Sequence, residues 1–326
     1  MMKGGILQMK GLINAAAIGA AAVGTACAAG ALTLFERVIP RQDTVRVNLN
    51  EMANAEKWEE YKKIITPRKE WLLSQNTEHI TIKSRDGLTL HADYLPAEKE
   101  SNTVVFCGHG YTGCGNKDCA AISVFFHELG YNCLIMDHRA HGKSEGKYIG
   151  FGILDRYDWK EWVKYMDSRF DNAEQIIFYG VSMGASIALM TAGFTDLSPT
   201  VKAVIADCGY TSPYDVFAHI LKKDYHLPPF PIMNINDQLC RHTAGYGFSD
   251  YSTVQAVQTT KLPILFIHGE DDDFVPLWMS KKNYSECRSP KDILIVKNAA
   301  HAASYYENRT AYEAKVKSFL NKYIGG

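Results

Sequence analysis

The chain has 326 residues, enough for one large α/β domain with a small insertion, or for two domains. With 46% hydrophobic and 22% charged residues its composition is that of a globular protein with a sizeable core. A formal net charge of −1, without long basic or acidic blocks, excludes nucleic-acid binding as the main role.

The first notable stretch is Leu12–Phe35, which carries no charged residue and is dominated by Ala, Gly, Leu and Ile. Lys3 and Lys10 precede it, and Glu36, Arg37 and Arg41 follow. Its length suits a bilayer span, so residues 1–41 are expected to form a single N-terminal membrane anchor, with the rest of the chain outside the cytoplasm. Two other readings stay open: a signal peptide cleaved at a poor Ala26-Cys27-Ala28 site, giving a secreted protein, and a small-residue helix packed on the domain. Residues 42–76 form a helical lead-in. Trp58, Tyr61, Ile64 and Ile65 have helical spacing, Pro67 interrupts the helix, and a second short helix runs through Trp71 and Leu72.

From residue 77 a regular rhythm begins. His79–Ser84 and Leu88–Leu95 alternate as strands across an Asp86-Gly87 turn, the signature of a hairpin. Thr103–Cys107 is an apolar strand ending in Gly108-His109-Gly110-Tyr111-Thr112-Gly113. A helix over Ile122–Leu129 leads to a strand over Tyr131–Met136. Next comes a helix from about Leu154 to Arg169, with Trp159, Trp162, Val163 and Met166 as its inner stripe. Ile176–Tyr179, Val201–Ala206, Ile264–Ile267 and Ile293–Val296 are further strands, and Ala311–Lys322 is a terminal helix. Strands and helices alternating in this way predict an α/β fold, a mainly parallel central sheet with helices on both faces. Residues 211–258 break the rhythm with Pro213, Pro228, Pro229 and Pro231, and are expected to be a cap insertion over the strand C-terminal edge, lining a pocket. A structural arm with no pocket role is the alternative.

The chemistry converges on Gly180-Val181-Ser182-Met183-Gly184, between an apolar strand and an Ala-rich helix. A sharp strand-to-helix turn lifts the Ser182 hydroxyl clear of the sheet, and the residues two before and two after it must lack bulk. A serine nucleophile needs a base, an orienting acid and an oxyanion hole. His301, in a small-residue loop after the last strand, lies in the required chain order for the base. The acid falls between them: Asp271, Asp272 and Asp273 follow a strand, and spacing alone does not choose among them, while Asp207 is a runner-up with a structural role more expected. The oxyanion hole is expected from the backbone N–H of Met183 and that of Tyr111. None of the eight cysteines sits in a Cys-x-x-Cys pair, and the histidines show no zinc-ligand spacing, so neither metal nor cofactor is indicated. Cys114 and Cys119 are close enough in sequence to pair in an oxidising compartment.

Together, His109-Gly110-Tyr111-Thr112-Gly113, Asp137-x-Arg139-x-His141-Gly142-x-Ser144-x-Gly146, Gly180-Val181-Ser182-Met183-Gly184 and His268-Gly269-x-x-Asp272-x-x-Val275-Pro276 resemble the α/β-hydrolase superfamily. They resemble most the branch of monoglyceride lipases, carboxylesterases and serine aminopeptidase-like proteins, over roughly Glu78 to Ile324. By that resemblance residues 77–326 are an α/β-hydrolase catalytic domain. The fifth position of the last motif is the triad acid, which selects Asp272, and His301 matches the family histidine. The resemblance implies a serine hydrolase that cleaves a carboxylic ester through an acyl-enzyme. The partner expected is a small-molecule acyl ester, with no nucleic acid. A peptidase of the aminopeptidase-like kind is the alternative, with Asp215, Asp224 or Asp237 as candidates to hold a substrate amine. A membrane-tethered binding protein without chemistry is the other alternative.

Overall fold

The computed structural model describes residues 24–42, 55–169 and 175–324. Two compact units divide the chain, one of residues 41–216 and 248–326 and one of residues 1–40 and 217–247. In chain order the elements begin with helices α1 (residues 24–38) and α2 (Ala55–Ser74), then strands β1 (Glu78–Lys83), β2 (Thr89–Leu95) and β3 (Thr103–Gly108). Helices α3 (Gly115–Asp118) and α4 (Ala120–Glu128) precede β4 (Asn132–Asp137), and α5 (Asp155–Arg169) precedes β5 (Gln175–Val181). Helix α6 (Met183–Ala192) and strand β6 (Val201–Asp207) follow, then α7 (Pro213–Asp224), α8 (Pro229–Ala244) and α9 (Thr253–Thr259). The chain ends with β7 (Ile264–Gly269), α10 (Trp278–Glu286), β8 (Lys291–Val296), α11 (Ser304–Glu307) and α12 (Arg309–Tyr323).

The larger unit holds an eight-stranded sheet in the order β1-β2-β4-β3-β5-β6-β7-β8. The β1–β2 and β2–β4 pairs are antiparallel, and every pair from β4 to β8 is parallel. Parallel strands covered on both faces read as continuous apolar runs, which is why β3 and β7 are buried at every position. Alternation then decides which helix each residue meets. Val105, Cys107, Ile177, Tyr179, Ile205 and Ile267 join Phe125 and Phe126 of α4 and Val316 and Phe319 of α12. Phe106 and Phe178 point to the other face, where their rings lie 6.2 and 5.1 Å from that of Trp159. The stripe expected on α5 is realised, with Trp159, Trp162, Val163 and Met166 all buried.

Two expectations at the N-terminal side change. Residues 12–23 of the apolar stretch lie outside the described residues. The remainder is in α1, where Ala31, Phe35 and Ile39 at its end are buried and Leu32 is exposed. Within the smaller unit the Asn236 side chain of α8 donates to the Ala31 carbonyl at 2.9 Å, and Gly30 faces Ile232. No helix among the described residues is long and apolar enough to cross a membrane, so the single-pass anchor finds no support. The lead-in is one helix, not two, because α2 continues through Pro67. A proline inside a helix removes one backbone hydrogen bond and costs about 3 kcal/mol. Packing offsets it: Tyr61 and Leu72 are buried, and the Arg68 guanidinium donates to the Ala121 carbonyl at 2.8 Å. Finally, Cys114 and Cys119 are free thiols, as are the other six cysteines.

Phe178 is fully buried between Phe106 and Trp159. Phe178→Ala is expected to destabilise the domain by about 3–5 kcal/mol, read as a lower urea midpoint with an unchanged slope.

Candidate active site

Strand β5 delivers Ser182 at its C-terminal end and α6 starts one residue later. Ser182 has φ 56° and ψ −115°, a left-handed conformation that a serine adopts only under constraint. The constraint is the closeness of the backbone. A Cβ on Gly180 would meet the Gly184 carbonyl carbon and oxygen at 2.2 Å, and a Cβ on Gly184 would meet the Gly108 oxygen at 2.3 Å. The Ser182 N–H donates to the Asp207 carbonyl at 2.8 Å, tying the turn to β6.

The structure brings Ser182, His301 and Asp272 into one hydrogen-bonded row, although β6, β7 and β8 intervene in the chain. His301 Nε2 is 2.8 Å from Ser182 Oγ, and His301 Nδ1 is 2.8 Å from Asp272 Oδ2. All three side chains are buried. The tautomer with hydrogen on Nδ1 donates to the carboxylate and turns the Nε2 lone pair towards the hydroxyl. Burial works against a charged His301, but the Asp272 charge and hydrogen bond outweigh it and hold its pKa above the ordinary 6.5. Burial likewise opposes ionised Asp272. The charges and hydrogen bonds of His301 and His268 prevail and hold the carboxyl well below its usual range.

Asp272 is the aspartate of the three that reaches His301, and its other oxygen accepts the Phe274 and Val275 N–H groups at 3.1 and 2.9 Å. His268, to which the sequence reading assigned no role, stands 3.2 Å from Asp272 Oδ2 through Nε2. Its ring is held from both sides, by the Val275 carbonyl at 2.7 Å and the Ser280 hydroxyl at 2.7 Å. Its signal was its place in the His-Gly-x-x-Asp pattern, directly before the carboxylate it serves. Asp207 instead accepts from the Tyr312 hydroxyl at 3.0 Å, and burial pushes its pKa up to about 6.

Tyr111 sits in a loop gripped by side chains that sequence reasoning also left without roles. His109 Nδ1–H donates to the Gly110 carbonyl at 2.7 Å, and His109 Nε2 accepts the His138 N–H at 3.0 Å. The Thr112 N–H donates to His141 Nε2 at 3.3 Å, while His141 Nδ1–H donates to the Arg139 carbonyl at 2.9 Å. Thr112 itself has a left-handed φ of 60°. The Asp118 carboxylate packs so closely on Gly113 that a Cβ there would lie 1.8 Å from it. The His109 ring lies 4.2 Å from that of His138, tilted to it, and 4.9 Å from that of His141, edge to face. Burial lowers His109 to about 4 and His141 to about 3, so both stay neutral acceptors at neutral pH. Gly110 touches Ser182, its Cβ position lying 3.6 Å from the Ser182 Cβ. Met183, the first residue of α6, is buried at the helix start, where N–H groups have no partner within the helix.

The carboxylates considered for holding an amine have partners of their own. Asp215 accepts from Thr211 at 2.6 Å, Asp237 pairs with Arg241 at 3.0 Å, and Asp224 lies 3.9 Å from Lys223.

The model of the prolyl oligopeptidase family, peptidase family S9, matches residues 124–326. The chain belongs to that family. Membership makes it a serine hydrolase of the α/β-hydrolase superfamily, as the four motifs imply. It is 32% identical over 240 residues to the uncharacterized protein YqkD of Bacillus subtilis, covering 74% of this chain and 78% of that one. Among solved structures it is similar to an esterase of Pyrococcus furiosus, with a TM-score of 0.64 at 22% identity, over 78% of this chain and 94% of that one. It is also similar to an acylaminoacyl peptidase of Pyrococcus horikoshii, with a TM-score of 0.56 at 18% identity, over 77% of this chain and 43% of that one. These two likenesses speak to the prolyl oligopeptidase family fold and not to substrate.

The elbow makes its own prediction. Gly184→Ala forces Cβ against the backbone oxygen of Gly108, which cannot swing aside. A loss of about 1–3 kcal/mol in urea unfolding is expected, and stability equal to wild type would refute the close approach.

Proposed function

We propose that the chain hydrolyses a carboxylic ester through a Ser182 acyl-enzyme. The observation that carries this reading is the row Ser182–His301–Asp272, closed at 2.8 Å at both junctions. In the reaction Ser182 Oγ attacks the ester carbonyl carbon while His301 Nε2 accepts the hydroxyl proton. Asp272 stays ionised, keeps the imidazole in its tautomer and stabilises the imidazolium. The developing oxyanion is held by the backbone N–H groups of Met183 and Tyr111. Collapse expels the alcohol, which leaves with the proton from His301. Water, deprotonated by the same nitrogen, then attacks the acyl carbon and releases the acid and Ser182.

A second reading is supported by family membership: cleavage of an acylated or short peptide amide by the same machinery. The bond differs, and the row of residues does not. The two are separated by offering purified protein a p-nitrophenyl ester series from acetate to palmitate beside aminoacyl and acylaminoacyl p-nitroanilides, with Ser182→Ala in parallel. Ester turnover lost in Ser182→Ala is expected. Amide turnover exceeding ester turnover would move the assignment to a peptidase, and wild-type inertness towards all substrates and a fluorophosphonate probe would reject both.

Asp272→Asn leaves the shape intact but donates where it should accept, so a drop in kcat of about 10⁴-fold with little loss of folding is expected. An active Asp272→Asn beside an inactive Asp207→Asn would transfer the acid role. The pH profile follows from His301, which serves as base only when neutral. Its pKa lies above 6.5, so kcat/KM falls as pH drops, with a midpoint above 6.5, and Asp272 stays ionised throughout. A midpoint below 6.5 contradicts this.

A further inference from the structure

Cys208 has no part in the chemistry above, yet it sits against it. Strand β6 ends at Asp207, and Cys208 follows with a left-handed φ of 49°, its N–H donating to the Ile267 carbonyl at 2.9 Å. That turn places a fully buried thiol beside the row. Cys208 Sγ, a carboxylate oxygen of Asp272 and a ring nitrogen of His301 all lie within 4.8 Å of one another. Sulfur, imidazole nitrogen and carboxylate oxygen form the donor set that a borderline-soft divalent ion such as zinc prefers. Three protein ligands leave a fourth position for water or for Ser182 Oγ.

We propose that Cys208, Asp272 and His301 form an inhibitory site for zinc, in which the metal occupies the triad and silences it. This rests on the reading of His301 as the base. The chemistry of the block holds for either ring nitrogen. A metal on Nε2 takes the lone pair that receives the serine proton. A metal on Nδ1 forces the ring hydrogen onto Nε2, which then faces Ser182 as a donor and cannot accept. In both cases Cys208 loses its proton to solvent as the metal–sulfur bond forms, no electron changes hands, and removal of the metal restores the hydrogen-bonded row. The site is invisible to spacing arguments, since its ligands come from the ends of β6, β7 and β8.

The test reads the metal as well as the rate. Purified full-length protein is titrated with zinc during ester hydrolysis, and separately with cobalt(II) in an absorption spectrometer. The expected results are inhibition reversed by EDTA and a thiolate-to-cobalt charge-transfer band. In Cys208→Ser the band disappears, the uninhibited rate is retained, and the zinc needed rises by about 100-fold or more, since even partners outside the ligand shell cost 10–100-fold in affinity. Cys208→Ala is a second variant should the serine be poorly tolerated, and His301→Ala, which removes a different ligand, should also abolish the cobalt band. Equal zinc sensitivity in wild type and the Cys208 variants, or no thiolate band in wild type, overturns the proposal. The cobalt titration needs no substrate, so failure to find an ester would not be mistaken for failure of the metal site.

Discussion

Everything at this site depends on how closely the backbone of α6 approaches that of β3. Gly184 lies against the carbonyls of Gly108 and His109, and Gly180 lies against Gly184 itself. No side chain fits at either position, so the turn between them closes tightly enough to hold Ser182 at a positive φ. The strain is sustained because both flanks are rigid: β5 is buried between β3 and β6, and α6 is buried at every residue. One close contact therefore sets the direction of the hydroxyl, the start of the helix and the distance to the loop of residues 109–113.

Around that turn, the partners of each buried polar group decide its charge. Asp272 stays anionic because two histidines and two backbone N–H groups meet it. Asp207, buried with the Tyr312 hydroxyl on one oxygen and no hydrogen-bond partner among the described residues on the other, is pushed towards its neutral form by burial. Burial drives His109, His138 and His141 neutral, which suits His109 and His141 as acceptors of the His138 and Thr112 backbone N–H groups. Burial alone would have raised both aspartates; the specific donors at Asp272 decide the difference.

The His301 loop is braced from outside the sheet. Lys57 of α2 donates to the Asn298 carbonyl at 2.9 Å and pairs with Glu307 at 3.2 Å, on either side of His301 in sequence. The Tyr61 hydroxyl reaches the same Glu307 carboxylate, and the Tyr61 ring stacks on Tyr306 at 5.6 Å. Helix α2 thus does more than lead into the domain. It fixes the short helix α11 and with it the approach of the imidazole.

Much of this was legible in the amino acids because it is local. Continuous apolar runs reveal β3, β5 and β7 through period and length, the α5 stripe reveals its buried face, and two glycines around a serine reveal a turn that excludes Cβ atoms. The order serine, aspartate, histidine was also readable, since each follows a strand. Tertiary structure decided what depends on contacts between distant residues. Asp272 rather than Asp271 or Asp273 accepts from His301, a contact made across two loops that spacing within one of them does not decide. Pro67 remains helical because α4 packs against its helix. Cys208 joins Asp272 and His301 because parallel strands bring three separate loops to one edge. Sequence patterns report which backbone each segment can adopt; which side chains then share a few ångströms of buried space is set by the packing of the sheet, where burial and partner charges fix the chemistry.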